Sequence, residues 1–148
     1  MMESREIQTL LPHRYPFLLI DRITELEAGK RAVGVKNITG GEWCLQGHSG
    51  YPFVLLLESL AQVAGVVLGS KAHGEAPGVP FAGLFAGISD FEFHRPPLTG
   101  EQVTLRVELT QSQASIYRFS GEVLVGSEKL AGGQILLSFI ANPSKRSP

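Results

Sequence analysis

The chain predicts an α+β fold in which one long helix is wrapped by a curved, largely antiparallel sheet. Three observations carry this. Residues 52–71 are apolar nearly all round, the mark of a helix buried on most faces. The second half of the chain alternates with period two between polar breaks, which argues for antiparallel strands. A helix without a polar face needs cover on several sides. A sheet bent around it supplies that cover, and a dimer partner can cover the rest.

Taken in order, residues 6–11 predict a short helix ended by Pro12. Pro12 and Pro16 forbid a regular helix over 11–22, which reads as an extended segment leading into a strand. Ala28-Gly29-Lys30 is a turn signal. Residues 31–38 alternate as a strand, with Ala32, Gly34 and Lys36 on one face and Val33, Val35 and Asn37 on the other. Thr39-Gly40-Gly41-Glu42 breaks it. Pro52 suits the first turn of the long helix. Gly65 and Gly69, four apart, leave room for close approach of a strand or a second helix. Residues 74–80 are a loop, and 81–95 are glycine-rich before alternating through Phe91, Phe93 and Arg95. Pro96 to Gly100 is a turn. Strands follow over 102–110, with Val103, Leu105, Val107 and Leu109 on one face, then over 115–125 and 130–140, the last two separated by Gly126-Ser127-Glu128. The tail 142–148 reads as frayed.

Bulk properties narrow the function. A length of 148 residues fits one domain over 1–148. A formal net charge of -1 argues against nucleic acid as the main partner. The single cysteine, Cys44, excludes an intrachain disulfide and fits a reducing compartment. Its closeness to His48 raises a thiol nucleophile as a minor alternative. The N-terminus lacks the apolar run of a secretory signal. The apolar region 54–68 is interrupted by Glu58, Ser59 and Gln62 and falls short of the roughly 20 residues of a membrane span. These points predict a soluble cytoplasmic protein.

Glu58 is the most informative residue. A carboxylate in an apolar helix is costly unless it is paired, protonated or facing a cavity. Burial raises a carboxyl pKa, which suits a general acid, and histidine titrates near neutrality, which suits a base. His48 stands just upstream of the helix, so an acid and a base flank its start. Gln62 lies four residues beyond Glu58 on the same face. The structural alternative for Glu58 is a carboxylate satisfied by Gln62, Ser59 or a cation; for His48 it is a loop histidine bonded to backbone. His13 reads as a packing and hydrogen-bonding residue beside Tyr15, not a catalytic one. His73 and His94 show no metal-ligand spacing, and no metal is expected. Phe81, Phe85, Phe91 and Phe93 read as core, some of them available to line a tunnel.

The run Leu11-Pro12-His13-Arg14-Tyr15-Pro16-Phe17-Leu18-Leu19-Ile20-Asp21-Arg22 closely resembles the N-terminal signature of the FabZ-type 3-hydroxyacyl-[acyl-carrier-protein] dehydratases. Gly29-Lys30-Arg31, Lys36-Asn37-Ile38-Thr39, Gln46-Gly47-His48, Glu58-Ser59-Leu60-Ala61-Gln62, Phe85-Ala86-Gly87-Ile88 and Arg95-Pro96 followed by Leu98 to Gln102 resemble that family in the same order. The resemblance implies a hot-dog fold working as a homodimer or a dimer-based hexamer. It implies that His48 and Glu58, from different subunits, convert a 3-hydroxyacyl thioester reversibly to a trans-2-enoyl thioester. His48 would take the proton next to the thioester, and Glu58 would protonate the departing hydroxyl. Backbone N–H groups at the helix start would polarise the carbonyl. The implied partner is acyl carrier protein with a phosphopantetheine-linked acyl chain, which a lone Arg95 would suit; no cofactor is implied. Fatty-acid synthesis is the default pathway, and a specialised polyketide-like or aryl-polyene cluster is equally compatible with the chain.

The chain departs from the family's pattern between the histidine and the helix. The family's Phe-Pro-Gly and Met-Pro-Gly are replaced by Ser49-Gly50-Tyr51-Pro52-Phe53, a connection several residues shorter. Phe53 then stands where the family has the glycine that helps hold the carbonyl, so Phe53, with Gln62, is a candidate substrate-binding residue. Its ring would narrow or reshape the acyl tunnel. Two rivals share the fold: a catalytically weakened acyl-thioester binding or partner protein, and an acyl thioesterase in which Glu58 activates water.

Overall fold

The structure, a computed structural model, describes residues 1–47, 50–75 and 83–139. His48, most of the loop at 74–80, Phe81 and the tail at 142–148 lie outside the described residues. The elements are α1 (Ser4–Leu10), β1 (Arg22–Glu27), β2 (Arg31–Asn37), α2 (Phe53–Glu75), β3 (Gly83–Phe93), β4 (Gln102–Gln113), β5 (Ile116–Val125) and β6 (Glu128–Phe139). The strands form one sheet in the order β1-β2-β4-β5-β6-β3, with every neighbouring pair antiparallel. The sheet packs around α2, the arrangement expected from an all-round apolar helix.

Strands β4, β5 and β6 turn alternate residues into the core around the helix. Val103, Leu105 and Val107 of β4, Phe119 and Val123 of β5, and Ile135 of β6 are buried together with Leu56, Leu60, Val63 and Val67 of α2. Burying each such side chain contributes about 1.5–3 kcal/mol. Glycine sets the closest approach at Gly34 of β2, where an added Cβ would come within 2.6 Å of Val63 Cγ2. The turn between β1 and β2 is tied to the helix directly: Gly29, at φ 73°, donates its N–H to the Val67 carbonyl at 3.0 Å. Gly65 meets Leu11, whose Cδ2 would lie 2.9 Å from an added Cβ; the close neighbour is the extended segment after α1 rather than the expected strand or second helix.

Several boundaries move for physical reasons. α1 begins earlier than its apolar residues suggest because the Glu3 N–H donates to Glu6 Oε2 at 2.7 Å, satisfying a free donor at the helix start. β4 runs on to Gln113 because Gln111, Ser112 and Gln113 pair with Arg118, Tyr117 and Ile116 of β5. Their polarity hides this extension from any apolar periodicity. β3 is an edge strand, so Phe85 and Phe93, expected in the core, are 39% and 40% exposed, while Phe91 packs partly into the core. α2 is also longer than the apolar run implied. From Phe53 to Gly74 it is long and apolar enough to cross a membrane by length and composition, which corrects the expectation that it falls short. Of its most apolar window, 78% is buried inside this fold, as in the core helix of a soluble protein.

Arg95 is not held out for a partner, contrary to one expectation from the sequence. Its guanidinium donates to both carboxylate oxygens of Glu101 at 2.9 and 3.0 Å and to Glu128 at 2.8 and 3.1 Å. The pairing holds both carboxyl groups below their ordinary value of 4.5. Folded values depressed in this way stabilise the fold above the ordinary carboxylate range, and that contribution is lost as pH falls through the folded values. We therefore expect Arg95→Gln to reduce the loss of stability on acidification below about pH 4.5, measured by urea unfolding at a series of pH values. An unchanged pH profile would count against this assignment.

Candidate active site

The entry to α2 is fixed from both sides. Tyr51 is fully buried and donates its N–H to the Pro97 carbonyl at 2.9 Å, and Gly50 bridges to Leu98. The 96–101 turn is itself held by the Leu98 N–H donating to Glu101 Oε2 at 2.7 Å. Pro52 opens the helix, its carbonyl accepting from the N–H groups of Leu55 and Leu56 at 3.1 and 3.3 Å. The N–H groups of the first turn point out of the helix end, where they favour negative charge. The Phe53 ring packs on Phe93 and Phe91 of β3, with centroids 4.5 and 5.7 Å away. It is not among the residues lining the cavity beside Glu58.

Glu58 lies one turn further along α2, with its side chain 21% exposed. It lines a cavity of about 40 Å³ together with Leu11, His13, Gly65 and Phe85. That is room for ordered water. Two side chains converge on one oxygen: His13 Nε2 lies 3.3 Å from Glu58 Oε1, and Gln62 Nε2 donates to the same oxygen at 3.3 Å. Gln62 is only 1% exposed, and its amide is fully engaged. Its Nε2 also donates to the Phe17 carbonyl at 2.7 Å, and its Oε1 accepts from the Leu19 N–H at 2.9 Å. One glutamine therefore ties the 17–19 backbone to the helix and to Glu58. Ser59, considered as a partner of Glu58, donates instead to the Leu55 carbonyl at 2.7 Å.

The segment leading toward His48 is anchored by an ion pair. Lys36 Nζ meets Glu42 Oε1 at 2.9 Å, with side chains 9% and 11% exposed, and lies 5.9 Å from the centre of the Tyr51 ring. Burial, then the charges of the nearby Cys44 and Glu42, push the Tyr51 hydroxyl well above its ordinary pKa, so it stays neutral. Burial, with Glu42 adding to it, likewise raises the Cys44 thiol. A reactive cysteine needs the opposite shift, so the thiol-nucleophile alternative finds no support. His94 is exposed beside Glu92.

The structure thus brings Glu58 and Gln62 together, sets Phe53 against β3, and adds His13, which the sequence reading placed outside the chemistry. The signal for His13 was only its place in the Leu11 to Arg22 motif. Its contact with a residue 45 positions later is invisible to any local pattern.

Comparison with known proteins agrees with this architecture. The model of the FabA-like domain family matches residues 11–134. The chain is 41% identical over 144 residues to the 3-hydroxyacyl-[acyl-carrier-protein] dehydratase FabZ of Clostridioides difficile (strain 630), covering 95% of this chain and 99% of that one. It is 44% identical over 139 residues to the protein of the same name from Acidovorax sp. (strain JS42), covering 91% and 95%. Among solved structures, the dehydratase heterocomplex ApeI:P from Xenorhabdus doucetiae superposes with a TM-score of 0.78 at 18% identity, covering 93% of this chain and 92% of that one. A hypothetical thioesterase protein with coenzyme A from Streptococcus pneumoniae TIGR4 superposes with a TM-score of 0.64 at 10% identity, covering 82% and 86%. At such identities the structural likenesses speak for the hot-dog fold alone.

Proposed function

Because this chain belongs to the FabZ-type 3-hydroxyacyl-[acyl-carrier-protein] dehydratase family, we infer that it removes water from a 3-hydroxyacyl thioester to leave a trans-2-enoyl thioester. The observation that carries the reading is Glu58, a carboxyl group on the core helix, held at one oxygen and open to a cavity.

In this reading His48 takes the proton from the carbon next to the thioester. The electron pair of that C–H bond forms the double bond, and the C–O bond at the neighbouring carbon breaks. Glu58 gives its proton to the departing hydroxyl, which leaves as water. Negative charge gathers on the thioester oxygen meanwhile, and the N–H groups at the start of α2, that of Phe53 included, stabilise it. Gln62 holds Glu58 in place. The acyl chain arrives on the phosphopantetheine arm of acyl carrier protein, in cytoplasmic fatty-acid synthesis.

We place the working site between two copies of the chain, with His48 and Glu58 from different protomers. Supporting this, β3 is an edge strand carrying exposed Leu84, Ile88 and Phe93. A long apolar edge of this kind is a surface that pairing with a second copy would cover.

The test is hydration of a medium-chain trans-2-enoyl thioester by the purified protein, followed as loss of enoyl absorbance, on carrier-protein and coenzyme A substrates. The wild type is expected to hydrate the enoyl thioester. His48→Ala is expected to lose about 100- to 10,000-fold. Release of free thiol without hydration, persisting in His48→Ala, would overturn the reading in favour of thioester hydrolysis.

A further inference from the structure

We propose that Phe53 is a positioning residue for the carbonyl-holding end of α2, acting through the packing of its ring on β3. The proposal rests on the dehydratase reading and adds a residue to it. In that reading the thioester oxygen is held by N–H groups at the helix start, whose effect falls off within the first turn. The first turn is also the weakest part of a helix, because its N–H groups have no partner within the helix. A shift of about 1 Å at a reacting centre costs on the order of 100-fold in rate. The turn therefore has to be held still.

Phe53 is the first residue of α2, and Val54 beside it is 66% exposed. The Phe53 ring meets two rings of β3: Phe93, with centroids 4.5 Å apart and planes at 58°, and Phe91, at 5.7 Å and 60°. Tilted and edge-on pairs at these separations are favourable arrangements of aromatic rings. Phe91 in turn packs against the buried core, so this clip has a fixed end.

β3 is bent in a way that supplies both rings. Ile88 and Ser89 pair with Ile135 and Gln134, whereas Glu92 and Phe93 pair with Gly132 and Ala131. Asp90 and Phe91 thus oppose the single residue Gly133, which makes a β-bulge. Asp90 takes a left-handed φ of 49°, and Gly133 makes room, since an added Cβ there would lie 2.6 Å from Phe91 Cα. The bulge exchanges the faces of the strand. Ile88 before it and Phe93 after it both lie opposite residues buried in the core, Ile135 and Ala131. At their odd separation, unbroken alternation would put them on opposite faces. The extra residue therefore turns Phe91 and Phe93 toward the start of the helix, a use of a bulge to re-aim side chains.

The clip can be cut from either end. We expect Phe53→Ala to lower kcat for enoyl hydration by about 10- to 100-fold with KM little changed. Phe93→Ala should lower kcat as well, and the double variant should be no worse than Phe53→Ala alone, because that change already removes the contact. Phe53→Tyr keeps the ring and should recover most of the loss. Amide hydrogen exchange reads the same contact without activity: the Leu55 and Leu56 N–H groups, bonded to the Pro52 carbonyl, should exchange faster in Phe53→Ala and in Phe93→Ala. An active wild type in which Phe53→Ala keeps full kcat, or in which the two losses multiply, overturns the positioning role and leaves the dehydratase reading standing. So does a Phe53→Ala variant that changes KM and the preferred acyl length with kcat kept, since the ring would then line the acyl path. A wild type without hydration activity overturns that reading and the positioning role with it.

Discussion

Glu58→Gln lowers kcat for enoyl hydration by about 100- to 10,000-fold and leaves the melting temperature within a few degrees of the wild type. The amide has nearly the shape of the carboxyl group. It keeps an oxygen able to accept from Gln62, which donates to Oε1 at 3.3 Å, and to lie beside His13 Nε2, 3.3 Å away. It has no proton to give to a departing hydroxyl. Chemistry is therefore lost without a cavity being opened or a buried donor stranded. Steady-state kinetics on an enoyl thioester, run beside a thermal melt, read the two effects separately. A variant within tenfold of wild-type kcat would remove Glu58 from the role of acid. Collapse of the melting temperature would make its role structural.

Lys36→Met destabilises the fold by about 3–5 kcal/mol, the cost of leaving one charge of a buried pair without its partner. Lys36 and Glu42 are close to fully buried, 2.9 Å apart. The methionine fills much of the space of the lysine stem, so packing against Tyr51 is largely kept and the stranded Glu42 charge dominates. The double variant Lys36→Met/Glu42→Gln should recover more than half of the loss, because neither charge then remains. Urea unfolding of the wild type, both single variants and the double closes the cycle. A single-variant loss below about 1 kcal/mol, as for an exposed pair, would show that water reaches the site.

The two residues differ in how far sequence could foresee them. Glu58 and Gln62 stand four apart on a helix, so their shared face follows from helix geometry once the helix is recognised. Lys36 was assigned to one strand face with Ala32 and Gly34, and that is the face turned to α2. Its burial, however, needs Glu42 to fold back over it, and nothing local announces such a return. Arg95 reads as open to a partner because its pairing with Glu128 requires the β5–β6 turn to come alongside. Phe53 reads as a residue whose ring narrows or reshapes an acyl tunnel; its packing on Phe93 depends on where the edge strand β3 lies.

Periodicity and turn residues therefore carried the element types, the all-round burial of α2 and the inward faces of β4, β5 and β6. These depend on the geometry of a residue's own neighbours along the chain, and the ordered motifs carried the family. Pairing across long sequence separations decided the rest. β3 became an exposed edge, polar residues near 111–118 became paired strand, and His13 reached Glu58 across 45 positions. Those outcomes depend on which distant segments share a surface once the sheet has closed around the helix. No local pattern encodes that, because a polar side chain in a turn reads the same whether it faces water or a carboxyl group of the core helix.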